Sequence, residues 1–351
     1  MSWILYGANG YTGEITARVA RERGLAPILA GRNRAALETL ARELDLESRA
    51  FSLDDATAVR AGIRGATLVL HCAGPFSSTS RPMIDACLAE RVPYLDITGE
   101  IDVFEQARAL DAPAREAGIL LCPGVGFDVV PTDCVAATLA RAMPDATHLA
   151  LGFDSRSMIS RGSARTGVEA LRTGARARVN GRIESLPLAA RVREIDFGDG
   201  LKRAMLVPWG DVSTAFHTTR IPNIEVYIPA SPRAIAAQRS LQRWRWLLAT
   251  APAQAWLKRR IQRGKAGPEA EQRAKTPVYV WGEARNAAGA TKVARLRTSN
   301  GYTFTVDASL GIVSHLLAGT VPTGFRTPSQ IVGPEFATTL PGSSQIVVTA
   351  S

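Results

Sequence analysis

Through residues 1 to about 125, short apolar runs alternate with longer stretches whose apolar positions recur at helical spacing. Trp3-Ile4-Leu5-Tyr6 is followed by glycine-rich Gly7–Gly13 and then by Glu14–Ala20, apolar at intervals of three and four. Pro27–Ala30 precedes a helical Arg34–Leu44, and Ala50–Leu53 and Thr67–Cys72 are the next apolar runs. Helices are predicted over Pro82–Glu90 and Val103–Ala117, with strands at Pro93–Asp96 and Gly118–Cys122. Runs this short and this apolar are strands buried on both faces, and strand–helix repetition builds a parallel sheet. The predicted class is α/β, a Rossmann-type sheet.

The pattern then changes. A helix over Asp128–Ala142 leads to strands at His148–Phe153, Ala190–Phe197, Pro222–Ile228 and Pro277–Glu283. Val293–Thr298 and Thr303–Asp307 flank Asn300-Gly301, a two-residue hairpin signal. A second α+β domain with a mostly antiparallel sheet, serving substrate binding or dimerisation, is therefore expected over 128–308. The first domain is 1–127, and a helix at Ser309–Leu317 with the stretch Thr327–Pro334 brings 309–340 back to it. No internal repeat or low-complexity segment interrupts the chain. Gly264–Lys275, charged and glycine-containing, is the expected mobile loop.

Candidate chemistry starts at Gly7-Ala8-Asn9-Gly10-Tyr11-Thr12-Gly13, between the first strand and its helix. Glycines there allow a tight turn, close approach to a pyrophosphate and close helix–strand packing, and the helix N-terminus offers N–H groups to phosphate. The spacing is G-x-x-G-x-x-G. The second strand ends at Gly31-Arg32-Asn33, where an NAD site would carry an acid for the ribose hydroxyls. Arg32 suits a 2′-phosphate instead, so the expected cofactor is NADP(H). Asp54 and Asp55 end the third strand, where they could face adenine or cap the next helix. Cys72-Ala73-Gly74-Pro75-Phe76 ends the fourth, as a loop beside the nicotinamide ribose.

These motifs, with Tyr94-Leu95-Asp96-Ile97-Thr98-Gly99-Glu100, Pro123–Asp133 and Thr327–Glu335, resemble the saccharopine dehydrogenase-like oxidoreductases. Within that superfamily the chain looks most like the bacterial trans-acting enoyl reductases, and the resemblance spans nearly its whole length. It implies hydride transfer from NADPH. Tyr94, Asp96 and Asp128 are the candidate catalytic residues, Thr98 and Gly99 are candidate cofactor-binding residues, and Glu100 lies beside them. Tyr94 could instead be a packed strand aromatic, and the aspartates could cap helices or bond loop backbone. Ser160-Arg161-Gly162-Ser163 resembles the superfamily's substrate loop, and a plain helix cap is the other reading. A Tyr-x-x-x-Lys pair, as in short-chain reductases, is missing, and the proton donor is not assigned.

Three activities are compatible with this reading. One is reduction of a C=C bond in an α,β-unsaturated acyl thioester, within lipid or polyketide metabolism. Another is C–N oxidoreduction of the saccharopine type, for which Arg156, Arg161 and Arg165 are the carboxylate-binding candidates. The third is NADP(H) binding at a lipid surface without turnover.

Charge adds one asymmetry. Of the 351 residues, 42 are Lys or Arg and 32 Asp or Glu, a net charge of +10. Residues 1–150 hold 14 basic against 19 acidic residues, so the remaining 28 and 13 give the rest of the chain a net +15. An anionic partner is expected there: an acidic acyl carrier with its phosphopantetheine, a phospholipid surface or a multicarboxylate substrate. Arg239–Arg263 interleaves Trp244, Trp246, Leu247, Leu248, Trp256, Leu257 and Ile261 with cations, and Pro252 divides it. It reads either as an interfacial or lid helix or as an ordinary amphipathic pair or dimer contact. Four scattered cysteines and four scattered histidines predict reduced thiols and no metal site. With neither an export signal nor a membrane-spanning run, a cytoplasmic homodimer, peripheral to the inner membrane face if the helix binds lipid, and not bound to nucleic acid, is expected.

Overall fold

The computed structural model describes residues 2–155, 174–248, 250, 252, 253, 256 and 276–350. They fall into two compact units, residues 1–128 with 304–332, and 129–303 with 333–351. The chain thus passes from the first unit to the second, returns at residue 304 and leaves again after 332. Residues 333–340, expected with the first unit, pack in the second, where Cys134 and Arg141 contact Gly333 and Glu335.

The first unit is built on a seven-stranded, wholly parallel sheet. Its strands are β1 (Trp3–Tyr6), β2 (Pro27–Gly31), β3 (Ser48–Ala50), β4 (Val69–His71), β5 (Tyr94–Asp96), β6 (Leu120–Cys122) and β15 (Gly324–Phe325), in the order β15-β6-β5-β4-β1-β2-β3. Every residue of β1, β2, β4, β5 and β6 is buried, which is why these runs are apolar except at their ends, where β4 carries His71 and β5 Asp96. The edge strand β15 pairs with β6 in parallel, Gly324 opposite Leu120.

The connecting helices are α1 (Tyr11–Glu22), α2 (Arg34–Leu44), α3 (Ala56–Ile63), α4 (Phe76–Glu90), α5 (Ile101–Ala109) and α6 (Asp111–Ala117). Helix α4 starts at Phe76, earlier than the Pro82 that sequence suggests as its first turn. Both oxygens of Glu100 accept from its opening N–H groups, Phe76 N at 3.0 Å and Ser77 N at 2.8 Å. This distant carboxylate supplies the cap, and Pro82 is carried inside the helix. The single helix predicted over Val103–Ala117 divides at Leu110, where Asp111 accepts from Phe325 N and pairs with Arg108 and Arg115.

The second unit carries a nine-stranded mixed sheet. Its main path is β10 (Val192–Asp196), β11 (Leu201–Leu206), β12 (Asn223–Pro229), β7 (Ala146–Ser155), β13 (Val278–Asn286), β14 (Thr291–Thr298) and β16 (Val347–Ala350). Only β12–β7 is parallel in that path. The hairpin β8 (Ala175–Val179) and β9 (Arg182–Leu186) joins through β12. Helix α7 (Val130–Ala142) lies on β13 so closely that a Cβ on Gly282 would come within 2.7 Å of Val135 Cγ1. Helix α8 (Asp211–Thr219) packs beside α7, where Thr132 Oγ1 donates to Asp211 Oδ1 at 2.7 Å. Helix α9 (Pro232–Leu248) follows β12.

The hairpin expected at Asn300-Gly301 does not form. Residues from Gly301 open a long helix, α10 (Gly301–Ala318), and Asn300 Oδ1 accepts from Tyr302 N at 3.0 Å. The β-branched run reads locally as strand, but Phe304, Val306, Leu310, Ile312, Val313 and Leu316 are all buried in the helix. Such a helix is held by its surroundings, which override propensity. The short helices α11 (Pro328–Val332) and α12 (Phe336–Thr339) complete the chain's helical elements among the described residues. None of these helices is long and apolar enough to cross a membrane.

Candidate cofactor and active site

The carboxyl ends of β1, β2 and β4 are drawn together by backbone contact. Gly7 N and Ala8 N donate to Ala30 O at 2.7 and 3.1 Å, and Cys72 N donates to Tyr6 O at 2.8 Å. Gly7 adopts φ +85°, and a Cβ there would stand 2.9 Å from both Ala73 N and Ala73 Cβ. Only glycine fits such a turn. At the start of α1, a Cβ on Gly13 would reach 2.1 Å from Gly7 O, so helix and turn touch backbone to backbone. Gly10 precedes α1 with no side-chain cap, leaving first-turn N–H groups directed out of the helix. These are the features a dinucleotide pyrophosphate needs.

Arg32 stands exposed just beyond β2. A Cβ on neighbouring Gly31 would lie 3.0 Å from Asn9 Oδ1, so the β2 end abuts the glycine turn. Asn33 turns away to cap α2, accepting from Ala36 N at 3.2 Å. Asp55 caps α3 by accepting from Thr57 N and Ala58 N, whereas Asp54 is exposed and accepts from Ser52 Oγ at 2.9 Å. The two residues of the aspartate pair therefore divide: Asp55 caps the helix and Asp54 does not. Burial raises the Tyr6 phenol to about 12, while the charge of Arg32 lowers it and that of Asp54 raises it. The adenosine-side residues fit NADP(H): a positive guanidinium follows the second strand, and no acid does.

Next along the sheet, Cys72, Ala73, Gly74, Pro75 and Phe76 lead from β4 into α4, with a cis peptide at Gly74–Pro75. Gly74 is exposed, Cys72, Ala73 and Pro75 are half-buried, and Phe76 is buried. Burial raises the Cys72 thiol, so it is not a ready nucleophile.

Beside this loop, Tyr94 and Asp96 at the end of β5 are wholly buried. Tyr94 Oη donates to Asp96 Oδ2 at 2.7 Å, while Asp96 Oδ1 accepts from Thr98 N and Gly124 N, both at 2.9 Å. One carboxylate therefore binds the β5 and β6 end-loops together. Burial raises its pKa to about 6 against the opposing pull of these three bonds. Neither side chain is accessible in this state, so their role here is positioning the loops. Thr98 Oγ1 continues the chain of contacts by accepting from Glu100 N.

The group of this trio that reaches the surface is Asp128, half-buried and pressed against Gly99, whose Cβ would meet Asp128 Oδ2 at 3.0 Å. Burial raises its carboxyl to about 6. Two further residues belong to the site and were not anticipated. His71 is buried at the end of β4, its Nδ1 3.3 Å from Tyr94 Oη, and burial lowers its pKa to about 3. Thr305 on α10 accepts from Phe127 N at 3.0 Å, supporting the loop before Asp128. His71 ended a recognised strand, but its burial depends on Tyr6, Phe76 and Tyr94 closing around it. Ser160, Arg161, Gly162 and Ser163, with Arg156 and Arg165, lie outside the described residues. So do Gly264–Lys275. Among the described residues no cluster of His, Cys, Asp and Glu could hold a metal ion.

Residues 3–122 match the family model for the saccharopine dehydrogenase NADP-binding domain. A trans-acting enoyl reductase of Mycobacterium tuberculosis is 33% identical over 191 residues, covering 48% of this chain and 44% of that protein. A human saccharopine dehydrogenase-like oxidoreductase is 30% identical over 155 residues, covering 37% and 35%. The chain thus spans less than half the length of these curated relatives. The L-Glu-forming saccharopine dehydrogenase of Saccharomyces cerevisiae shares the fold across 100% of this chain and 99% of its own, with TM-score 0.67 and 11% identity. Residues 3–122 thus match the saccharopine dehydrogenase NADP-binding domain, and the chain as a whole shares the fold of a saccharopine dehydrogenase.

Proposed function

We propose that this chain is an NADPH-dependent reductase acting on the C=C bond of an α,β-unsaturated acyl thioester. The observation that carries the cofactor half is Arg32, a cation and not an acid at the end of β2, next to the Gly7–Gly13 turn. The substrate half is supported by the identity to proteins named trans-acting enoyl reductases. NADPH would supply a hydride to the β-carbon, and a proton then completes the α-carbon as the enolate-like oxygen reverts to a thioester.

The chain's own contribution is geometric and electrostatic. The first-turn N–H groups of α1, those of Thr12 and Gly13 among them, would face the pyrophosphate, and Arg32 would pair with the 2′-phosphate. Asp96 fixes the loops that follow β5 and β6. Asp128, half-buried, retains its proton to about pH 6, above an ordinary aspartate, because burial disfavours its charge. The basic excess of residues 151–351 suits an acidic carrier protein. A second reading, C–N oxidoreduction of an amino acid and an oxo acid, is favoured by the relatives named saccharopine dehydrogenase-like oxidoreductases.

Loss of NADPH absorbance separates these readings: consumption with a 2-enoyl thioester supports the first, and consumption only with an oxo acid plus an amino acid supports the second. Arg32→Ala is expected to weaken NADPH about 10- to 100-fold, the worth of a lost charge-assisted hydrogen bond, while NADH binding changes little. Equal weakening of both cofactors would mean that the adenosine end lies elsewhere.

A further inference from the structure

Helix α9 is anchored at its start and bare at its end. Ile235 is buried, Arg239 Nε donates to Ala189 O, and Gln242 Oε1 accepts from Leu188 N at 3.0 Å. Past these anchors Trp244, Trp246 and Leu247 are 57%, 71% and 46% exposed, and Trp256 is 60% exposed. Elsewhere among the described residues, only Leu201, Val347 and Val348 are large apolar side chains standing so open. Exposing three tryptophans within so short a stretch is costly unless something covers them.

The charge of the sequence that carries them points to the cover. Residues 226–268 contain nine cations (Arg233, Arg239, Arg243, Arg245, Lys258, Arg259, Arg260, Arg263 and Lys265) and no Asp or Glu. A solvated surface would mix signs. A second copy of the same face would set this positive charge against itself. A phosphate polymer would satisfy the arginines but leave Leu247 in water. A bilayer with anionic headgroups satisfies both, because indole rings settle at the headgroup boundary while arginines pair with lipid phosphates above it. Trp244 and Leu247 share a face at i, i+3 and Trp246 lies round the helix from them. The end of α9 as a whole, rather than a single stripe, would enter the lipid boundary.

We propose that the end of α9 at Trp244, Trp246 and Leu247, with the exposed Trp256 that follows it in sequence, docks on an anionic lipid surface. This is independent of which bond the enzyme reduces. The test is co-sedimentation of the full-length protein with vesicles of phosphatidylcholine, with and without about 30 mol % phosphatidylglycerol. The expected result is binding at least ~10-fold stronger to the anionic vesicles, falling steeply with salt, with a blue shift of tryptophan emission. Trp244→Ala/Trp246→Ala/Trp256→Ala should abolish the shift and most of the binding. Its NADPH affinity should stay at wild-type level, which shows that the variant is folded. Equal binding to neutral vesicles, or undiminished binding by the triple variant, would overturn the proposal. So would wild-type self-association that the triple variant abolishes without lipid, or retention of the protein on RNA but not on vesicles.

Discussion

The carboxylate of Asp96 accepts three hydrogen bonds where no water reaches it. Asp96→Ala would leave the Thr98 and Gly124 backbone N–H groups without an acceptor and open a small void beside Tyr94. A loss of about 2–4 kcal/mol in unfolding free energy is expected, read by denaturant titration. Asp96→Asn should cost much less, because its amide oxygen keeps Thr98 N and Gly124 N and Tyr94 Oη can turn to His71 Nδ1. If alanine and asparagine proved equally mild, Asp96 would not be the tie between these loops. Sequence reading selects Asp96 and Asp128 as chemical groups because both are expected near the nicotinamide. It does not separate the buried brace from the accessible acid, since that depends on which residues close over each. Glu100 carries the same lesson: its partners, Phe76 N and Ser77 N, are more than twenty positions away and carry no local signature.

Elements differ in how much of their cause is local. The turn into α1 is legible because glycines are required at fixed offsets, and Gly13→Ala tests that requirement. The added Cβ would fall on a backbone carbonyl that cannot step aside. The variant is expected to melt several degrees lower and to lose NADPH affinity at least ~10-fold by isothermal titration. Retained affinity would mean that α1 does not pack on the Gly7 turn as described. Two Asn-Gly pairs make the opposite point. Asn180-Gly181, both at positive φ, closes the hairpin between β8 and β9, while Asn300-Gly301 opens a helix. The dipeptides are identical. What separates them is the following run, polar in β9 and apolar on all sides in α10, so the surroundings decide.

Across the molecule, acidity integrates the buried groups. Asp96 and Asp128 take up protons at about pH 6 in the fold, against the ordinary carboxylate range when unfolded. Between about pH 4 and 6 the folded chain holds more protons at these sites, so their contribution makes stability fall as pH rises, levelling above 6. His71 opposes them: neutral in the fold down to about pH 3, it makes stability rise with pH until its unfolded value near 6.5. Asp128→Asn should therefore remove one falling component. The variant's stability relative to wild type should climb across pH 4–6 and stay flat above, read by urea titration at each pH. A difference independent of pH would place the Asp128 proton at its ordinary value. The parallel sheet as a class was legible from its short apolar runs. Its last member was not, because the two-residue β15 has no periodicity and exists only by pairing with β6. That pairing has a consequence during synthesis. The nascent chain can stack six strands early, but the exposed flank of Leu120–Cys122 stays open until Phe325 has left the ribosome, after most of the second unit has emerged. Through that interval, the edge beside the loop that follows β6 is where a stray strand from another chain could pair, so the chain's exposure to misassembly is set by translation time as well as by its final stability.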